Sequence, residues 1–188
     1  MSRGLILDRD GVINVDAGYV YRIEDCTFVD GIFEVADAFA QRGFTIVIAS
    51  NQSGIGRGYY REGDFTHFMA WMKQQFVTRG IPIAATYHCP DHPTEGIEVY
   101  QRQNPWRKPG PGMFLQAAKD FSLNLRDSWC IGDKDTDIEA GRAAGVGNLV
   151  RFVPDAARVE WRGDFWIVPR LSDIIRLLDR ISNGTATT

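Results

Sequence analysis

The chain has 188 residues and a mass of 21.1 kDa, enough for one domain with a substantial core and too little for two ordinary ones. Its 44% hydrophobic and 24% charged residues match soluble globular proteins, which excludes a disordered, collagenous or membrane-embedded chain. A net charge of −3 offers no electrostatic footprint for nucleic acid or an anionic membrane, and three scattered cysteines (Cys26, Cys89, Cys130) make no disulfide framework.

Gly4-Leu5-Ile6-Leu7 is short and continuously apolar, which predicts a strand buried on both faces. A helix follows Gly31, with Ile32, Val35, Ala36 and Phe39 on one face and Gly43 as its stop signal. Phe44 to Ala49 reads as a β-branched strand broken by Ser50-Asn51. From Glu62 to Arg79 a second helix carries Phe65, Phe68, Met69, Met72 and Phe76 in one stripe, the mark of a core face. Ala84 to His88 is a third strand. Pro111 suits the first turn of a helix bearing Phe114, Ala117, Ala118 and Phe121. Trp129-Cys130-Ile131 forms a fourth strand stopped at Gly132, then come a small-residue helix from Ile138 to Ala144 and a fifth strand from Asn148 to Phe152. Phe165 to Val168 and a helix from Asp173 to Ile181 close the fold. Residues 1–181 read as one domain and residues 182–188 as a frayed tail.

Buried-type strands alternating with helices predict an α/β fold, a doubly wound parallel sheet with helices on both faces. Ligands in such folds sit beyond the carboxyl ends of the strands. The one long connection without helical periodicity spans residues 89–108, and a loop of that length is expected to be functional.

Four elements stand on that rim. Asp8-Arg9-Asp10-Gly11 ends the first strand, and two carboxylates so close repel unless a cation sits between them. It reads either as a surface turn or as a site for a hard divalent ion, Mg²⁺ by preference. Ser50-Asn51-Gln52-Ser53-Gly54 ends the second strand and suits either a helix cap or a set of phosphoryl-oxygen donors. Arg107-Lys108-Pro109 precedes a helix N-terminus, as a solvated basic pair or an anion site. Gly132-Asp133-Lys134-Asp135-Thr136-Asp137 ends the fourth strand, where Asp137 or Thr136 can cap the next helix and Asp133 can hold metal. Together Asp8, Asp10 and Asp133 make a Mg²⁺ cage, while Ser50 and Lys108 serve a phosphoryl group.

In order and spacing these residues resemble the four motifs of the haloacid dehalogenase superfamily of phosphotransferases: Asp-x-Asp, Ser or Thr, Lys, and an acidic pair. Within it, LDRDGVINVDAGYV, SNQSGIGRG, RKPGPGM and GDKDTDIEAG look like the D-glycero-D-manno-heptose 1,7-bisphosphate phosphatase subfamily, a near relative of histidinol-phosphatases. The resemblance implies a Mg²⁺-dependent phosphatase that removes the 7-phosphate of a small phosphorylated sugar, on a fold without a separate cap domain. It implies Asp8 as nucleophile, forming an aspartyl-phosphate, and Asp10 as general acid and base. Mg²⁺ is implied to sit on Asp8, the backbone carbonyl of Asp10, and Asp133, with Asp137 behind them. Ser50 and Lys108 are implied to hold the phosphoryl oxygens. Asp16, Ala17, Gly18 and Tyr19, with Asn51, Gln52 and Ser53 opposite, would face the substrate. Arg107 would take the phosphate that is not cleaved, and Lys134 the reacting one.

One departure concerns zinc. Zinc-bearing relatives carry Cys-x-His and, later, Cys-x-Cys before Arg-Lys-Pro, whereas this chain reads Cys89-Pro90-Asp91 and Asn104-Pro105-Trp106. A metal-free loop is therefore expected, with His88 and His92 too few to complete a zinc site. A charged pair arrives too soon after the start for a signal-peptide core, so a cytoplasmic enzyme is expected, as a monomer without nucleic-acid or membrane partners. Two other readings are a histidinol-phosphate or other sugar-phosphate phosphatase and a receiver-type phosphoacceptor module. The third strand, ending in His88-Cys89, lacks the acceptor Asp that such a module needs.

Overall fold

In the computed structural model, which describes residues 1–182, the first strand is β1 (Gly4–Leu7), buried along its whole length. Leu5 and Leu7 face one layer of core and Ile6 the other, the two-residue period of a strand covered on both sides. β2 (Thr45–Asn51) and β4 (Trp129–Gly132) flank it in parallel, pairing Leu7 with Ile48 and with Ile131. β3 (Ile83–Cys89) lies outside β2; β5 (Asn148–Phe152), β7 (Phe165–Val168) and β6 (Glu160–Trp161) continue beyond β4. The order is β3-β2-β1-β4-β5-β7-β6, parallel except for the β6–β7 pair. The chain winds outward from β1 in one direction and then, from β4, in the other. That reversal opens a crevice between the carboxyl ends of β1 and β4.

Helices α1 (Ile32–Gln41), α3 (Glu62–Val77) and α6 (Ser172–Ser182) cover the Leu5/Leu7 face, and the expected apolar stripes are the buried ones. On the opposite face pack α4 (Gly112–Phe121) and α5 (Asp135–Ala144), with Met113, Phe114, Ala117, Ile138 and Ala140 around Ile6, Val47 and Cys130. A single turn, α2 (Ser53–Gly56), follows β2. No separate cap domain interrupts the described residues, and none of their helices is long and apolar enough to cross a membrane.

Boundaries differ from the sequence reading where pairing or capping overrides local pattern. Ser50 and Asn51 do not break β2; they pair with His88 and Cys89 of β3 and extend it. α5 begins at Asp135, because the Asp137 carboxylate accepts the Lys134 N–H (3.0 Å) and caps the turn. Pro111 stands just before α4 rather than inside it, and α3 ends at Val77 instead of Arg79. β6 was not expected, since two residues are too few to carry a pattern. Ser182 closes α6, and the rest of the expected tail, residues 183–188, lies outside the described residues.

Candidate active site

Asp8 follows directly on β1, its N–H bonded to the Ile131 carbonyl of β4 (2.9 Å), so the sheet itself fixes its place. The turn beyond it folds back through Arg9, whose carbonyl accepts from Ile13 (2.8 Å) and Asn14 (3.1 Å). Gly11 sits in that turn at φ +86°, and a Cβ there would lie 2.3 Å from Asp133 Oδ2. Only glycine lets the two acidic segments approach so closely. Gly132 has the same task on β4, where a Cβ would meet Asp137 Cβ at 2.1 Å.

Oxygen atoms of Asp8, Asp133 and Asp137 converge within 4.8 Å of one another. Lys108, buried at 3% exposure, reaches Asp8 Oδ1 (2.8 Å), the Ala49 carbonyl (2.8 Å) and Asp137. Burial alone would pull its pKa down, but Asp8 and Asp137 outweigh it and hold the ammonium above its ordinary value. Asp8 is pushed up by its burial, with Lys108 opposing and Asp137 adding to the rise. Burial and then the neighbouring Asp8 raise Asp133 to about 7, and its Oδ1 is buried without a partner.

Asp10 is turned the other way. Its carboxylate accepts from Arg9 Nη2 (2.7 Å), Asn14 Nδ2 (3.0 Å) and Gln52 Nε2 (3.0 Å). Arg9 is fully buried beneath Phe65 and Phe68, 5.2 Å from the latter ring centroid, and also donates to the Val20 carbonyl. Gln52 Nε2 also donates to Ser50 Oγ (2.7 Å), and its Oε1 accepts from the Tyr60 hydroxyl (2.6 Å). Asn51 uses both ends of its amide on the Lys108 main chain, accepting from N (2.9 Å) and donating to O (3.0 Å). β2 and the Lys108 segment are thereby joined.

Asp8, Asp10, Ser50, Asn51, Gln52, Tyr60, Lys108 and Asp137 line one cleft of about 390 Å³, the size of a small-molecule site. Of the residues expected there, Asp8, Asp10, Asp16, Gly18, Tyr19, Ser50, Asn51, Gln52, Ser53, Arg107, Lys108, Lys134 and Asp137 form its walls. Ala17 is exposed and does not border the cleft, and Asp133 stands behind the wall beside Gly11. At the mouth Lys134 Nζ is 3.0 Å from Asp16 Oδ2; burial would raise the Asp16 pKa, but the bond from Lys134 holds it below the ordinary carboxylate range.

Arg9 and Tyr60 were not foreseen, and Thr136, read as a candidate helix cap, lines the cleft while Asp137 does the capping. Arg9 was legible in principle, as a cation standing in sequence between two carboxylates and able to pair with one of them, as it does with Asp10. Tyr60 carries no sequence signal, since the glycine-rich turn that returns it to the cleft has no periodicity.

A hard divalent cation fits this donor set. Three cations, Arg9, Lys108 and Lys134, face five carboxylates, Asp8, Asp10, Asp16, Asp133 and Asp137, which leaves two negative charges in excess when all ionise. In the residues 89–108 loop, Asp91 and Asn104 are bonded directly (2.5 Å) and His92 accepts from the Glu95 N–H (3.0 Å), while His88, still on β3, pairs with Glu62 (2.9 Å).

A family profile described as HAD-hydrolase-like matches residues 105–150. A D-glycero-alpha-D-manno-heptose-1,7-bisphosphate 7-phosphatase of Burkholderia mallei is 51% identical over 159 residues, 84% of each chain. A D-glycero-beta-D-manno-heptose-1,7-bisphosphate 7-phosphatase of Vibrio cholerae is 42% identical over 146 residues, 78% of each chain. The solved D,D-heptose 1,7-bisphosphate phosphatase of B. bronchiseptica, complexed with magnesium and phosphate, shares the fold at a TM-score of 0.80 and 23% identity, covering 95% of this chain and 99% of that one.

Proposed function

Since the chain belongs to the heptose-1,7-bisphosphate 7-phosphatase family of the haloacid dehalogenase superfamily, we propose that it hydrolyses the 7-phosphate of D-glycero-D-manno-heptose 1,7-bisphosphate. The observation that carries this reading is the meeting of Asp8, Asp133 and Lys108 beside one small cleft.

Asp8 is the nucleophile. Its Oδ1 already accepts from Lys108 and from the Arg9 N–H (2.7 Å), which leaves Oδ2 to attack phosphorus and form an aspartyl-phosphate. Asp8, Asp133 and the Asp10 carbonyl would hold Mg²⁺, with Asp137 behind them. When bound, the ion offsets the repulsion between carboxylate and phosphate dianion. Lys108 and Ser50 hold the transferring oxygens, and Lys108 keeps its proton because two carboxylates face it. Asp10, oriented by Arg9, Asn14 and Gln52, gives a proton to the leaving sugar oxygen and later takes one from the attacking water. Lys134 meets the reacting phosphate. Arg107 takes the phosphate that stays, and Asp16, Gly18, Tyr19, Asn51, Gln52 and Ser53 surround the sugar, without Ala17, which stands outside the cleft.

The same reading has residues 1–181 acting as one domain, a cytoplasmic monomer working on a small phosphorylated sugar without zinc, nucleic acid or membrane. Phosphate release with Mg²⁺ is measured on both anomers of the heptose bisphosphate and on histidinol phosphate, with Asp8→Asn as the blank. The bisphosphate should win in kcat/KM by about 100-fold or more, the discrimination a site built around a second phosphate supplies. Comparable values, or full activity in Asp8→Asn, would sink the assignment.

A further inference from the structure

The connection from β3 to α4 contains a buried carboxylate, Asp91, that does not border the cleft. Asp91 is 0% exposed, and its Oδ2 accepts from Arg102 Nε (2.9 Å) and Asn104 Nδ2 (2.5 Å). Asn104 in turn accepts the Trp106 N–H on its side-chain oxygen (2.9 Å) and the Arg107 N–H on its carbonyl (3.0 Å). Upstream, the Cys89 carbonyl holds the Gln52 N–H (2.8 Å). One side chain therefore ties the outgoing end of the loop to its return, beside Arg107.

The Asp91 carbonyl also accepts from Arg107 Nη1 (3.1 Å). That contact orients the guanidinium without neutralising it, and Arg107 has no carboxylate partner among the described residues. Its neighbour Arg57, by contrast, is paired with Glu95. Arg107 is half-buried, lines the cleft, and keeps its remaining N–H donors for an anion. A guanidinium fixed before binding loses less rotamer freedom when the anion arrives. Asp91 Oδ1 is buried and unpartnered, so this carboxylate is a poor device for stability alone.

We propose that Asp91 is a positioning residue for substrate selection: its clasp on Arg102 and Asn104 closes the loop so that its carbonyl aims Arg107 at the second phosphate of a bisphosphate. This rests on the phosphatase reading above. Wild type, Asp91→Ala, Asp91→Asn, Arg102→Ala, Asn104→Ala and Arg107→Ala are assayed with Mg²⁺ on heptose 1,7-bisphosphate and on heptose 7-phosphate. Asp91→Ala should raise KM for the bisphosphate about tenfold while kcat and the monophosphate KM stay within about twofold, the split expected when uniform binding is lost. Arg107→Ala should lose the same preference, and Arg102→Ala and Asn104→Ala should shift it in the same direction. Asp91→Asn, which still offers an oxygen to both donors, should recover most of it. Equal losses on both substrates, or unchanged selectivity in Asp91→Ala, would overturn the proposal. Should Asp91→Ala not fold, unchanged selectivity in both Arg102→Ala and Asn104→Ala has the same force. Wild type releasing no phosphate from either sugar overturns the phosphatase reading and this proposal with it, whereas selectivity that survives loss of the clasp overturns this proposal alone.

Discussion

Lys108 Nζ lies 2.8 Å from Asp8 Oδ1 and touches Asp137 on its other side, and all three side chains are buried. The nucleophile and the helix-capping carboxylate thus share one cation. Removing it in Lys108→Met leaves two facing carboxylates, which should lower stability by about 3–5 kcal/mol, the usual effect of breaking a buried pair. Phosphate release should fall about 10³-fold with the loss of a phosphoryl donor. Thermal melts with and without Mg²⁺ check the first effect, and the ion should restore part of it. An unchanged melting temperature would show that the pair does not hold the site together.

Asn51 grips the Lys108 main chain at both N and O. Asn51→Ala removes both bonds and should destabilise the protein by about 1–2 kcal/mol. Because Lys108 then moves against Asp8, kcat should drop about tenfold, while the Mg²⁺ concentration for half-maximal rate stays the same. Asn51→Asp keeps the acceptor and loses the donor, so it should recover only part of the rate. Steady-state kinetics across a Mg²⁺ titration decide between this and a direct substrate contact, which would appear in KM.

A methyl at Gly11 would meet Asp133 Oδ2 at 2.3 Å on a backbone already at φ +86°. Gly11→Ala should therefore cost about 1–2 kcal/mol in backbone strain and displace Asp133 as well. Activity should recover when Mg²⁺ is raised about tenfold, the scale on which misoriented ligands weaken metal binding. If saturating Mg²⁺ leaves the deficit intact, the close approach of the two segments does not serve the cation.

Asp133 is raised to about 7 from 3.8, first by burial and then by Asp8. In the metal-free protein the folded state therefore holds this proton between those values while the unfolded chain releases it, so stability should fall as pH rises through that window. Mg²⁺ must displace the proton, so its apparent affinity should increase as pH rises toward about 7 and level off above it. The shift in melting temperature caused by Mg²⁺ should be larger at pH 8 than at pH 5.5. In Asp133→Asn both trends should flatten.

Much of the fold was written locally. The apolar runs Gly4–Leu7, Asn148–Phe152 and Phe165–Val168 form strands with those bounds, and the Phe65-to-Phe76 stripe is buried as its spacing requires. Hydrophobic period is a property of consecutive residues, so it can be read before the chain folds. Strand ends were less secure. Ser50 and Asn51 stay in β2 only because β3 lies alongside to pair with them.

What the sequence determined by itself was the alternation of strands and helices, the rim on which chemistry belongs, and the chemical character of Asp8, Asp10, Ser50, Lys108 and Asp133. Tertiary structure alone decided which partner each of those groups acquires. Asp10 faces Arg9, Asn14 and Gln52 rather than Asp8's cluster, Asn51 binds main chain, Tyr60 returns to Gln52, and Asp91 closes a loop onto Arg102 and Asn104. The physical reason is that a hydrogen bond or ion pair depends on distances of about 3 Å between segments far apart in the chain. Residue type determines what a group can donate or accept, and only packing of the sheet and its loops determines what stands within reach.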